Sequence, residues 1–122
     1  ALTRAEKLQR KAGKVGFDWN DPHAVLAKLR EEIDEIEAEL DTGSRDAQED
    51  ELGDVLFCVV NLARHLDLDS EMALKRTNAK FQQRFAHIED RLAEQGIPFA
   101  EAPLEQMEAL WVEAKQSPKA AD

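Results

Sequence analysis

The stretch ELGDVLFCVVNLARHL, Glu51–Leu66, decides the fold. From Val55 to Ala63 it is apolar on nearly every side except at Asn61, with no strict alternation of the kind a half-buried strand shows. At 100° per residue it reads as a helix buried on most of its surface, covering about residues 45 to 66. Glu51, Asp54 and Asn61 share a polar arc of about 80°, while Leu52, Val55, Val59 and Leu66 face the opposite way. One small chain can hardly cover Val55, Leu56, Phe57, Val59, Val60, Leu62 and Leu66 together. The patch therefore asks for a second copy of the chain.

Outward from this helix the pattern stays helical. A short basic helix over about 2–13 comes first, then a break at VGFDWNDP, where Asp21 suits the N-cap and Pro22 the first helical position. A helix from about 22 to 41 follows, stopping at Asp41-Thr42-Gly43. Asp69 caps a helix reaching about 94, and a last helix carries Leu104, Met107, Leu110 and Trp111. Five glycines, four prolines and no alternating β-branched run leave no place for a sheet. The expectation is an all-α helical bundle, one domain over 1–122, completed by dimerisation, with a basic helix at 1–15 and a flexible tail at 116–122.

The chain has 122 residues and a formal charge of −10, which argues against nonspecific nucleic-acid binding. Its one cysteine, Cys58, lies in an apolar run, as a buried thiol in a reducing compartment does. VLFCVV is too short to span a bilayer, and the N-terminal stretch has no secretory h-region, so a soluble cytoplasmic protein without membrane contact is expected.

Chemistry gathers in two places. KLREEIDEIEAEL, Lys28–Leu40, holds six carboxylates, yet Leu29, Ile33, Ile36 and Leu40 recur at helical spacing. Lys28, Glu32 and Glu35 fall within about 60° on one flank of the stripe centred near Ile36 and Leu40, while Glu31, Asp34 and Glu39 point elsewhere. An antiparallel hairpin through DTGSRD can set Glu32 and Glu35 against Glu51 and Asp54. Four carboxylates would suit Mg²⁺ or Mn²⁺; equally, each pair can decorate a solvated face. A di-iron bundle is poorly supported, since none of His23, His65 and His87 follows a glutamate by three.

The second place is the helix after Asp69, where Arg76, Lys80, Arg84, His87 and Arg91 make one basic stripe. A salt-bridged solvated face is the ordinary account. A stripe beside a metal-holding cluster would instead grip a polyphosphate. Trp111 and Lys115 offer a ring and an ammonium one turn apart.

These segments together resemble the all-α nucleoside triphosphate pyrophosphohydrolases. Glu31-Glu32-x-x-Glu35, then after fifteen residues Glu51-x-x-Asp54, matches their EExxE…ExxD signature, and VGFDW, ELGDVLFCVVNLARHL, ALKRTNAKFQQRF and LEQMEALWVEAK are similar to the MazG branch. The likeness runs from about Leu8 to Lys115. It implies Mg²⁺-dependent hydrolysis of a nucleoside triphosphate to the monophosphate and pyrophosphate. It implies metal ligands Glu32, Glu35, Glu51 and Asp54; in such a site either Glu35 or the adjoining Glu31 could take the proton of the attacking water, a choice the sequence leaves open. Lys28, Lys80, Arg84, Trp111 and Lys115 would contact the nucleotide, with Asn61, Asn78 and Trp19 as further sugar or base contacts. The opening residues resemble the start of the second MazG domain of two-domain members. A sister activity on phosphoribosyl-ATP or a deoxynucleotide, or a silent helical scaffold, are the alternatives.

Overall fold

The structure, a computed structural model, describes residues 1–116. Five α-helices follow one another: α1 (Leu2–Lys14), α2 (Pro22–Ala38), α3 (Arg45–His65), α4 (Ser70–Glu94) and α5 (Leu104–Gln116), with a 3₁₀ turn at Phe99–Glu101 before α5. No strand occurs among the described residues, so the fold is all-α. Gln116 still closes α5; the rest of the expected tail lies outside the described residues.

Local chemistry sets the helix ends. Asp21 Oδ1 accepts from the Ala24 N–H at 2.9 Å, with Pro22 at the start of α2. Asp69 Oδ1 accepts from the Glu71 N–H at 2.9 Å, and Ser44 Oγ from the Ala47 N–H at 3.1 Å. Each oxygen satisfies a donor that a helix start leaves orphaned. Helix α3 ends in a Schellman turn: Leu68 N–H donates to Ala63 O at 2.8 Å, and Asp67 N–H to Arg64 O at 3.1 Å. Asp67 takes the left-handed φ of 57° that this turn demands, a position where Asp is tolerated better than most side chains.

The chain forms two compact units, Ala1–Ala73 and Leu74 onward. In the first, α2 and α3 make an antiparallel hairpin and α1 packs on α3. Gln9, buried on α1, donates from Nε2 to Phe57 O at 2.9 Å. Val25, Cys58 and Val60 are the buried apolar residues here. In the second unit Ile88 and Leu92 of α4 meet Leu110 of α5, with Ile97, Met107 and Trp111 against them.

One expectation needs correction. The stripe on α2 does not run to Leu40: the helix ends at Ala38, and Ile33 and Leu40 are exposed. On α3, one chain leaves one side uncovered, as the sequence leads one to expect: Leu52, Leu56, Val59 and Leu66, within an arc of about 80°, are 42–49% exposed. Val60, by contrast, is already buried within the unit.

Candidate metal and nucleotide site

Antiparallel pairing of α2 with α3 brings Glu32, Glu35 and Glu51 together, each offering a carboxylate oxygen within 4.8 Å of the others. Glu32 is 6% exposed, Glu51 half-buried and Glu35 exposed. Asp54 is exposed and stands outside this trio. Lys28 Nζ lies 2.9 Å from Glu32 Oε1 and 3.5 Å from Glu31, whose side chain is largely in water.

The electrostatics separate the members. The Lys28 ammonium holds the Glu32 carboxyl below its ordinary value, against the opposing pull of burial. Glu35 is pushed upward, by its contact with Glu32 first and Glu51 after it. Glu32 in turn raises Lys28. Two oxygens, Glu32 Oε2 and Glu51 Oε2, are buried with no hydrogen-bond donor. A buried carboxylate oxygen without a donor is costly, and a hard cation ligated by oxygen is the group that relieves it. One turn beyond Asp54 on the same face sits Cys58, whose thiol is pushed up by burial and then by Glu32, a sign of how near the carboxylates are.

Farther along that face the residues anticipated only singly form a network. Asn61, 2% exposed, accepts at Oδ1 from Arg64 Nη2 at 2.7 Å and from Arg64 Nε at 3.2 Å. Arg64 Nη2 also donates to Asp18 Oδ1 at 2.6 Å, where His65 Nε2 (2.9 Å) and the Trp19 N–H (2.8 Å) converge. Asp18 is held well below the usual carboxylate range, by Arg64 foremost. His65 is thus a partner of the Asp18 carboxylate. Forty-six residues separate Asp18 from Arg64, so no spacing rule could have found the pair.

In the second unit the basic stripe divides. His87 Nε2 is 2.9 Å from Glu113, and Arg91 pairs with Glu94 (2.7 Å) and Glu113 (3.2 Å). The Arg84 guanidinium lies over the Trp111 ring at 5.5 Å, and Phe81 stands 5.5 Å from the same ring. Lys80 makes no salt bridge to another described residue. Asn78 and Lys115 are exposed on α4 and α5, and Trp19 is partly exposed in the α1–α2 loop.

An all-helical hairpin with a partly buried carboxylate trio defines the class. Residues 20–89 match the MazG nucleotide pyrophosphohydrolase domain, and the chain belongs to that family. It is 42% identical over 118 residues to the nucleoside triphosphate pyrophosphohydrolase of Escherichia coli (strain K12), which covers 95% of this chain and 45% of that protein. It is 39% identical over 115 residues to the Thermotoga maritima nucleoside triphosphate pyrophosphohydrolase/pyrophosphatase MazG, covering 94% and 44% respectively. The uncharacterized protein YpjD of Bacillus subtilis (strain 168) is 33% identical over 88 residues. The chain spans less than half the length of the first two relatives.

Proposed function

We propose that this chain hydrolyses nucleoside triphosphates to the monophosphate and pyrophosphate in a reaction that depends on Mg²⁺, for which Mn²⁺ can substitute. The observation that carries the reading is the pair of buried, donorless oxygens on Glu32 and Glu51 beside Glu35. Glu32, Glu35 and Glu51 would hold the cation, with Asp54, one turn on from Glu51, as a fourth ligand. When bound, the cation neutralises charge that develops on the phosphoryl oxygens.

The side chains supply the remaining chemistry. Glu35, whose carboxylate stands against Glu32 and Glu51 while Glu31 faces solvent, takes the proton of the water that attacks the α-phosphorus. Lys28 keeps Glu32 ionised. Lys80 and Arg84 bind the triphosphate, and Trp111, Lys115, Asn78, Asn61 and Trp19 the nucleoside. A homodimer belongs to the same proposal, because the exposed arc Leu52, Leu56, Val59 and Leu66 is an apolar wall that water disfavours. A groove of about 460 Å³ shares Leu52 with this arc and is lined also by Ile36, Leu40, Arg45, Asp46, Gln48 and Glu49. No helix among the described residues is long and apolar enough to cross a membrane. A cytoplasmic setting is proposed on the buried, unpaired Cys58.

The test is a panel of NTPs, dNTPs and phosphoribosyl-ATP with Mg²⁺, both products being identified. Release of pyrophosphate, with ¹⁸O from labelled water appearing in the monophosphate, is the expected result. Release of orthophosphate, or no turnover across the panel, would reject the reading. Within it, Lys80→Ala and Arg84→Ala should each raise KM about ten-fold or more, the cost of uncompensated phosphate charge. Arg91→Ala, whose guanidinium is engaged by Glu94 and Glu113, should do little. Equal losses from all three would mean a diffuse basic face.

A further inference from the structure

Arg64 hydrogen-bonds Asn61, Asp18 and His65, and the proposed reaction gives it no part. It sits on the last turn of α3, its side chain 13% exposed, between Asp18 of the α1–α2 loop and Asn61 one turn before it. A guanidinium has only donors, so the Asn61 atom facing it is the amide oxygen, whichever way the amide could otherwise be turned. The Asn61 NH₂ is therefore directed away from Arg64. The face of α3 that carries Asn61 also carries Glu51, Asp54 and Cys58, all within an arc of about 80°. Asn61 lies seven residues past Asp54, about 10 Å along the helix axis from the carboxylates proposed to hold the cation.

The far end of the network is equally constrained. Asp18 Oδ1 gathers donors from Arg64, His65 and the Trp19 backbone, which fixes the loop that carries the Trp19 ring. Gly13 of α1 makes room for that carboxylate: a Cβ there would stand 3.3 Å from Asp18 Oδ2. The clamp is thus built from three elements, α1, the loop and α3.

We propose that Arg64, locked onto Asp18, is a positioning residue for nucleotide binding: it presents the Asn61 amide as a hydrogen-bond donor to an acceptor on the sugar or base, and it holds the Trp19 loop beside it. The proposal rests on the nucleotide reading above. Arg64 itself touches no phosphate in this account; it acts through Asn61 and Asp18. A lysine could reach one partner but not bridge two with a rigid fork.

The experiment is a double-mutant cycle on Mg²⁺·ATP, or on the best substrate of the panel where ATP is not turned over. Arg64→Gln and Asn61→Ala should each raise KM about ten-fold, with a smaller change in kcat. Because one acts through the other, the double variant should be no worse than Asn61→Ala alone. Additive losses, or an unchanged KM in Arg64→Gln, overturn the proposal. In a Trp111→Phe background, Asp18→Asn should shift Trp19 emission to the red and lower its anisotropy; unchanged emission overturns the loop half of the proposal. Should Arg64→Gln lose helicity by circular dichroism, Asp18→Asn takes its place in the cycle with Asn61→Ala. A wild type that binds Mg²⁺·ATP in calorimetry but releases no pyrophosphate would sink the hydrolase reading, and the same cycle run on affinity would still decide this one. A wild type that binds no nucleotide of the panel overturns both.

Discussion

The two long sides of α3 depart from the ordinary amphipathic pattern in opposite directions. Toward α2 the helix presents Glu51, Cys58 and Asn61, of which the last two are buried. On another arc Leu52, Leu56, Val59 and Leu66 are close to half exposed. A helix built for stability alone would reverse these faces. The polar side gathers carboxylates whose mutual repulsion is relieved by Lys28, by a proton on Glu35, or by a cation. The apolar side can be relieved only by another apolar surface. On the proposed reading the first side takes a cation and the second a further copy of the chain.

The largest expected effect separates the outward arc from the residue beside it that faces the core. Val60→Asp should destabilise the fold by about 4 kcal/mol or more, since it buries an unpaired charge. Leu56→Asp should leave the helices folded and shift sedimentation equilibrium toward a monomer near 13.8 kDa. If Leu56→Asp leaves a dimer intact, the outward arc is not its interface.

On the polar side, Glu51→Ala should lower turnover by at least about a thousand-fold, the loss of several kcal/mol of charge stabilisation, while far-UV circular dichroism stays unchanged. Calorimetry should show Mg²⁺ binding to the wild type and its loss in this variant. Absence of Mg²⁺ or Mn²⁺ binding to the wild type, with or without nucleotide, would remove the metal site.

Glu35→Gln sharpens the same point without touching packing. Glu35 has a folded-state pKa above its unfolded value, so the fold favours its neutral form. Its ionisation therefore costs stability as pH rises through the folded value. In chelator, Glu35→Gln should melt above the wild type at neutral pH, and the gap should close as pH falls below the ordinary carboxylate value. Mg²⁺ should reverse the order by stabilising only the protein that binds it. Parallel melting curves across pH would show that the trio carries no strain.

The smallest effect belongs to the clamp at the end of that face. Asp18 is shifted downward, so its contribution is present above the unfolded carboxylate pKa and fades as pH falls through the lower, folded one. Asp18→Asn should cost about 1–2 kcal/mol at neutral pH, and the difference from wild type should shrink in acid. A gap that persists unchanged at low pH would mean the loss is one of packing rather than charge.

Much of the fold was legible from residues a few positions apart. Asp21, Pro22 and Asp69 announced helix starts because capping is a local bond between a side chain and an N–H two or three residues on. The helical period singled out Glu32 with Glu35, and Glu51, for the same reason: angle along a helix follows from sequence number. The end of α2 was placed three residues late because Leu40 keeps the apolar period after the backbone has turned, and a period cannot register a turn.

What only the tertiary structure decided is which neighbours those side chains meet. The basic stripe of α4 is continuous in sequence, yet Glu113 of α5 engages His87 and Arg91 while Trp111 engages Arg84. Asp18 and Arg64 are ordinary charges in the sequence and become a clamp only when the α1–α2 loop folds back on α3. Secondary structure and the carboxylate face were determined by the sequence itself, since they depend on propensity and helical angle over one or two turns. Burial, ion pairing and the shifted proton affinities depend on distances between segments tens of residues apart, and those exist only once the helices have packed.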